Sequence, residues 1–115
     1  MDDDIILSER DREIVRGVLL PFADRIERVA VFGSRANGKA RPASDIDIAL
    51  WGDVDDALRA RLWSLFDRSS LAVSVDVVVY SPTLSVFMRH HIDVASRLLF
   101  SGADLRASAT LAATR

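Results

Sequence analysis

The sequence contains no cysteine, which excludes disulfides and thiolate metal sites. Lysine is almost absent: Lys39 stands alone against fourteen arginines, and the formal net charge is only −2. The basic excess of a nucleic-acid binder is therefore missing, and direct nucleic-acid binding is not expected. No apolar run approaches the roughly 18 residues needed to cross a bilayer, so no membrane segment is expected. The chain begins Met1-Asp2-Asp3-Asp4, acidic where a signal peptide would be basic. The expected location is the cytoplasm. What is present is the balance of a globular protein: 115 residues, 50% hydrophobic and 28% charged, enough for one domain with one core.

Apolar spacing places the elements. Ile14, Val15, Val18, Leu19 and Phe22 recur at helical intervals after a Ser8 cap, predicting a helix from about Glu9 to Ala23 that Pro21 disturbs. A short β-rich run, Arg28 to Phe32, predicts a first strand. A loop from Gly33 to Ser44 follows, with a helical turn after Ser34. Asp45 to Trp51 alternates as a second strand, with Ile46, Ile48 and Leu50 on one face and Asp45, Asp47 and Ala49 on the other. Leu58, Leu62, Leu65 and Phe66 mark a second helix, about Asp55 to Arg68, and the valine-rich stretch Ala72 to Tyr80 a third strand. Ser81-Pro82 predicts the start of a third helix with Leu84, Phe87, Met88, His91 and Ile92 on its apolar stripe. Leu98 to Phe100 reads as a short last strand. From Ala103 onward the pattern weakens and is compatible with a surface helix, a partner-binding tail or disorder. This order predicts an α+β fold, a small mixed β-sheet with helices on one face.

Chemistry concentrates between Phe32 and Asp47. Gly33 permits torsions and close approach that a Cβ would block, and Gly33-Ser34 directly after a strand can aim N–H groups and a hydroxyl at phosphate oxygens. Asp45 and Asp47 leave one strand face roughly 7 Å apart and repel unless a cation lies between them. Mg²⁺ suits that place, because it prefers oxygen ligands and combines one or two carboxylates with substrate phosphates. Alone, a Gly-Ser turn is only a turn and an Asp-x-Asp pair only two surface acids. The ten-residue spacing between them makes the signal. Asp76, inside Val73-Ser74-Val75-Asp76-Val77-Val78-Val79, is costly in an apolar strand unless paired or metal-bound. If that strand lies beside the second, Asp76 joins Asp45 and Asp47, and three carboxylates can hold two metal ions. Asp76 can also take the proton of an attacking hydroxyl.

Gly33-Ser34, ten residues, then Asp45-Ile46-Asp47, with Asp76 on a later strand, resembles the nucleotidyltransferase superfamily related to DNA polymerase β. The fuller run, including Arg35, Ala36, Gly38, Arg41, Pro42 and Ser44, is similar to its smallest members, the minimal (MNT-type) nucleotidyltransferases. The resemblance extends from about Ile14 to Gly102, dividing the chain into a minimal nucleotidyltransferase domain, 1–102, and a tail, 103–115. It implies the polymerase β palm-like fold. It also implies that Gly33 and Ser34 contact the β- and γ-phosphates of ATP, the substrate. Asp45 and Asp47 would bind Mg²⁺, with two ions expected, and Asp76 would complete the triad. Attack on the α-phosphate would then transfer a nucleoside monophosphate and release pyrophosphate. Minimal members are often encoded beside a HEPN-domain toxin, a ribonuclease, and act as its antitoxin; some adenylylate it on tyrosine.

Among the remaining residues, Arg35 is the favoured additional phosphate contact, ahead of Lys39 and Arg41. Asn37 and Gly38 read as turn-formers. His90 and His91 point about 100° apart on a helix and cannot converge on one ion; His91 reads as a packed side chain. Trp51 and Trp63 read as core or rim packing in preference to adenine stacking, and Tyr80 as surface packing in preference to self-modification. Three functions follow. The first is Mg²⁺-dependent transfer of AMP from ATP to a protein hydroxyl by an antitoxin. The second is an antitoxin of the same fold acting by occlusion alone. The third is nucleotidyl transfer to a small molecule such as an aminoglycoside.

Overall fold

A computed structural model describes residues 7–38, 41 and 43–113. Lys39, Pro42 and the acidic start Met1 to Asp4 lie outside the described residues. The first helix, α1, spans Glu9–Leu19, capped by Ser8, whose hydroxyl accepts from the Asp11 N–H. It stops earlier than the apolar spacing predicts. Pro21 stands at the start of a 3-10 stretch, Leu20–Arg25, in which Phe22 leaves helical torsions. A proline has no N–H to continue the ladder.

The chain then enters β1, Ile26–Phe32, turns through a 3-10 turn at Gly33–Arg35, and returns as β2, Ile46–Gly52. The helix α2, Asp56–Asp67, carries it across to β3, Val75–Val79. It is followed by α3, Val86–Ala95, β4, Arg97–Ser101, and α4, Gly102–Ala113. The sheet order is β3-β2-β1-β4. β1 is antiparallel to both β2 and β4, while β2 and β3 are parallel, as a helical crossover allows.

The two sheet faces are unequal. On one, Val29, Val31, Ile46, Ile48, Leu50, Val75 and Val77 join Val15 and Leu19 of α1, Leu58, Leu62 and Phe66 of α2, and Leu105 of α4. Side chains this deeply buried contribute about 1.5–3 kcal/mol each by leaving water. On the other face a smaller cluster of Phe32, Ala49 and Ile92 gathers Trp51, Val78, Tyr80 and Met88. The expectation of helices on one face is thus corrected: α3 packs on the face opposite α1, α2 and α4. Strand alternation requires this, because Phe32 and Ala49 also need cover.

Two further expectations change in α3. Ser81-Pro82 is a turn, with the Leu84 N–H bonded to the Ser81 carbonyl, and the helix begins four residues later with Ser85 as its cap. Phe87, assigned to the apolar stripe, is 81% exposed, while Met88 and Ile92 form the side of the helix that packs on the sheet. The segment from Gly102 on is a helix held to the sheet. A Cβ on Gly102 would crowd the Ile26 carbonyl, Leu105 is fully buried, and the Arg106 guanidinium donates to Ile26 O. Among the described residues no helix is long and apolar enough to cross a membrane.

Candidate active site

The topology brings the chemical residues to one end of the sheet. Because β1 is antiparallel to β2, the turn after β1 lies beside the start of β2. Because β3 is parallel to β2, its start lies there too. The register is Phe32 opposite Asp47, and Asp47 opposite Asp76. Phe32, Asp47 and Asp76 therefore stand at the same height on adjacent strands, with Gly33 directly after Phe32 and both acids on the face that carries α3. Asp45 precedes β2 by one residue and is exposed.

Gly33 has φ +73°, a left-handed torsion natural to glycine, and a Cβ built there would collide with Asp47 Oδ2. The missing side chain leaves that carboxylate oxygen open toward the turn. Ser34 and Arg35 complete the turn, which closes through the Ala36 and Asn37 N–H groups on the Gly33 carbonyl. Arg35 reaches across the loop and donates to the Ser44 carbonyl at 2.8 Å. It thereby ties the turn to the residue just before Asp45. At that point the loop is drawn tight, because Ser44 Oγ accepts from the Arg41 N–H at 2.8 Å.

The carboxylates repel one another. Asp47 holds its proton above the usual carboxylate value, first because it is partly buried, then because Asp76 and Asp45 stand near it and Asp76 shares a hydrogen bond with it. His91 opposes the effect slightly. Only Asp47 is partly buried; Asp45 is exposed, and Asp76 on the edge strand β3 is exposed too, so the cost expected of an acid in an apolar strand does not arise there. Among the described residues no three acidic or histidine side chains converge where they could hold a metal ion, so the three-carboxylate site expected of Asp45, Asp47 and Asp76 is not assembled as such. Mg²⁺ does not need all three, since it takes one or two carboxylates and completes its shell with phosphate and water oxygens. The paired carboxylates Asp47 and Asp76 fit that requirement.

These residues open into a cleft of about 960 Å³. Gly33, Asp47 and Asp76 lie along it, with Arg59 and Trp63 contributed by α2 and Phe87, Met88 and His91 by α3. The volume falls at the upper end of the range for small-molecule sites. His91 is half-buried with its ring edge-on to Phe32, 5.9 Å between centroids, so it both packs and borders the cleft. His90 is exposed. Trp51 stacks on Tyr80 at 4.9 Å with the Arg28 guanidinium 4.7 Å from its ring centre, and the Tyr80 hydroxyl donates to Asp93. Both rings are engaged in packing. Trp63, read from sequence as core or rim packing, and Phe87, read as part of an apolar stripe, both border the cleft, and Arg59 was not singled out. The available signal was that residues 59 and 63 stand one helical turn apart, off the buried stripe of 58, 62 and 66.

The fold has counterparts among solved structures. The fold resembles a toxin–antitoxin crystal structure with AMP-PNP, at TM-score 0.67 and 18% identity, covering 90% of this chain and 87% of that one. It also resembles the MntA-HepT toxin–antitoxin structure, at TM-score 0.61 and 17% identity, covering 93% and 87%. None of the curated proteins compared matches the sequence. Residues 19–104 match the family described as polymerase beta, nucleotidyltransferase, and include Gly33, Ser34, Asp45, Asp47 and Asp76. The chain belongs to the polymerase beta nucleotidyltransferase family.

Proposed function

We propose that this protein is a Mg²⁺-dependent nucleotidyltransferase that moves AMP from ATP to a hydroxyl of a partner protein, as the antitoxin of a HEPN-domain toxin. The observation that carries the reading is that Gly33, just past the end of β1, lies beside Asp47 of β2 and Asp76 of β3 along one cleft. The likeness to toxin–antitoxin structures, one of them with AMP-PNP, supports a nucleotide substrate and a toxin partner.

In this reading the Gly33-Ser34 turn holds the β- and γ-phosphates, and Arg35 keeps the turn and the Asp45 loop in register. Asp47 and Asp76, with Asp45 close by, would hold Mg²⁺, which would neutralise phosphate charge and lower the pKa of the acceptor hydroxyl. Asp76 orients that hydroxyl and accepts its proton. The acceptor oxygen bonds to the α-phosphorus, the bond to the bridging α,β-oxygen breaks, and pyrophosphate leaves with the electron pair. Such transfer depends on positioning and electrostatics more than on covalent chemistry, which suits a site made of one turn and three acids.

The test is transfer of label from α-labelled ATP to a HEPN-domain protein encoded beside this gene. Asp45→Ala and Asp47→Ala are each expected to abolish transfer. Labelling that survives in both variants overturns the mechanism, and full toxin protection by a variant lacking all three acids indicates occlusion.

A further inference from the structure

Two basic side chains line the cleft among the described residues, Arg59 from α2 and His91 from α3. They stand at its opposite ends. Arg59 is tied to the edge strand, where its Nε donates to the Val77 carbonyl at 3.0 Å. His91 lies over β1, because its ring meets the Phe32 ring edge-on at 5.9 Å between centroids. Phe32 directly precedes Gly33 and is the register partner of Asp47. The contact therefore holds the imidazole beside the turn, near enough to Asp47 for their charges to act on each other.

Packing on Phe32 occupies the ring of His91 but neither ring nitrogen. Among the described residues no protein group hydrogen-bonds to either nitrogen, and the side chain is half-buried in the cleft wall. A polar ring in that position has hydrogen bonds to give to whatever fills the cleft. Arg35, the cation expected at the phosphates, is not among the described residues that line the cleft and donates to the Ser44 carbonyl. On the turn side of the cleft the basic group is thus an imidazole.

In-line transfer puts the entering hydroxyl and the departing pyrophosphate on opposite sides of the α-phosphorus. The turn follows β1 and Asp76 stands on β3, two strand spacings or roughly 10 Å away. With pyrophosphate at the turn, His91 stands on the side of the leaving group, and Asp76 and Arg59 on the side of the acceptor.

We infer that His91 is a substrate-contacting residue whose ring N–H donates to the pyrophosphate leaving group of the nucleoside triphosphate. This rests on the nucleotidyltransferase reading above. The acceptor oxygen bonds to the α-phosphorus, the bond to the α,β-bridging oxygen breaks, and its electron pair leaves on pyrophosphate. No proton is transferred at His91; its hydrogen bond strengthens as charge gathers on the β-phosphate, so it favours the transition state over the bound substrate.

The full chain has two histidines, so the imidazole nitrogen resonances of His90 and His91 are assigned with one variant. At fixed pH with Mg²⁺, AMP-PNP is expected to shift His91 and leave His90 in place, whereas AMP, which lacks the β- and γ-phosphates, is expected to move neither. A shift of His91 as large with AMP as with AMP-PNP overturns the inference. So does an unmoved His91 when calorimetry shows AMP-PNP bound. The second readout is transfer from α-labelled ATP to the neighbouring HEPN-domain protein. His91→Phe keeps a ring against Phe32 and removes the donor, so kcat is expected to fall about tenfold to a hundredfold with the thermal midpoint unchanged. His91→Gln, which keeps an N–H, is expected to recover part of that loss. The β,γ-methylene analogue of ATP, with the poorer leaving group, is expected to lose more in His91→Phe than the β,γ-difluoromethylene analogue. Equal losses with the two analogues, or parental kcat in His91→Phe, overturn the inference alone. Transfer that survives Asp47→Ala, or AMP-PNP that does not bind, removes the nucleotidyltransferase reading itself.

Discussion

Gly33 and Asp47 meet so closely that a single added methyl group on the glycine would overlap the Asp47 carboxylate. The first residue of the turn Gly33–Arg35 thus shapes the space of Asp47, although fourteen positions separate them in sequence. Gly33→Ala combines a left-handed torsion with that collision. The strain alone is about 1–3 kcal/mol, and displacing Asp47 should cut transfer by about a hundredfold or more. Urea denaturation and initial-rate assays on the same preparation check both. An alanine variant with parental rates would show that the turn and the carboxylate are not coupled.

Asp47 is held partly buried beside Asp76 and Asp45, so its charge opposes folding when no cation is bound. Its folded pKa lies above the unfolded value. The stability tied to this group is therefore complete at low pH and is lost as pH rises through the folded pKa. At neutral pH in chelator, Asp47→Asn should raise the thermal midpoint while abolishing transfer. Added Mg²⁺ should stabilise the parent more than the variant. A lower midpoint for Asp47→Asn in chelator would mean that the acids support the fold instead of straining it.

Tyr80 is the sole tyrosine, so its ionisation can be followed by ultraviolet absorbance without ambiguity. The hydrogen bond to Asp93 at 2.7 Å favours the neutral phenol and raises its pKa above the ordinary value of 10.0, with desolvation and the Asp93 charge adding to the shift. The stabilisation is present below the unfolded pKa and fades as pH rises through the folded one. Asp93→Asn should move the absorbance midpoint toward lower pH. An unchanged midpoint would sever the proposed link between the two side chains.

Ser85 caps α3 by accepting the Met88 N–H at 3.1 Å, and α3 presents Phe87 and His91 to the cleft. Ser85→Ala should cost about 0.5–2 kcal/mol in urea denaturation. Ser85→Asp, which keeps an accepting oxygen, should recover most of it. Equal loss in both variants would assign Ser85 a role other than capping.

Local spacing made most of the elements legible. The alternation of Ile46, Ile48 and Leu50 specifies a strand with one buried face, and Leu58, Leu62 and Phe66 a helix with one buried stripe, because burial must follow the period of the backbone. Errors arose where two local signals competed. Ser81-Pro82 has the residues of a helix start, yet the chain uses them for a turn and caps the helix at Ser85. Likewise, helices on one face was a reading of element order alone. Order does not say that Phe32, Ala49 and Trp51 need a helix of their own.

Residue type and spacing by themselves determined the chemistry expected of this protein. A glycine turn ten residues ahead of an Asp-x-Asp pair suits phosphate and metal because of what those side chains are. Tertiary structure alone decided the register that sets Asp47 between Phe32 and Asp76, the closeness of Gly33 to Asp47, and the rings that border the cleft. Those relations depend on which strands pair and which helix covers which face, and pairing across distant segments follows from burial of the whole sheet, not from any local stretch of chain.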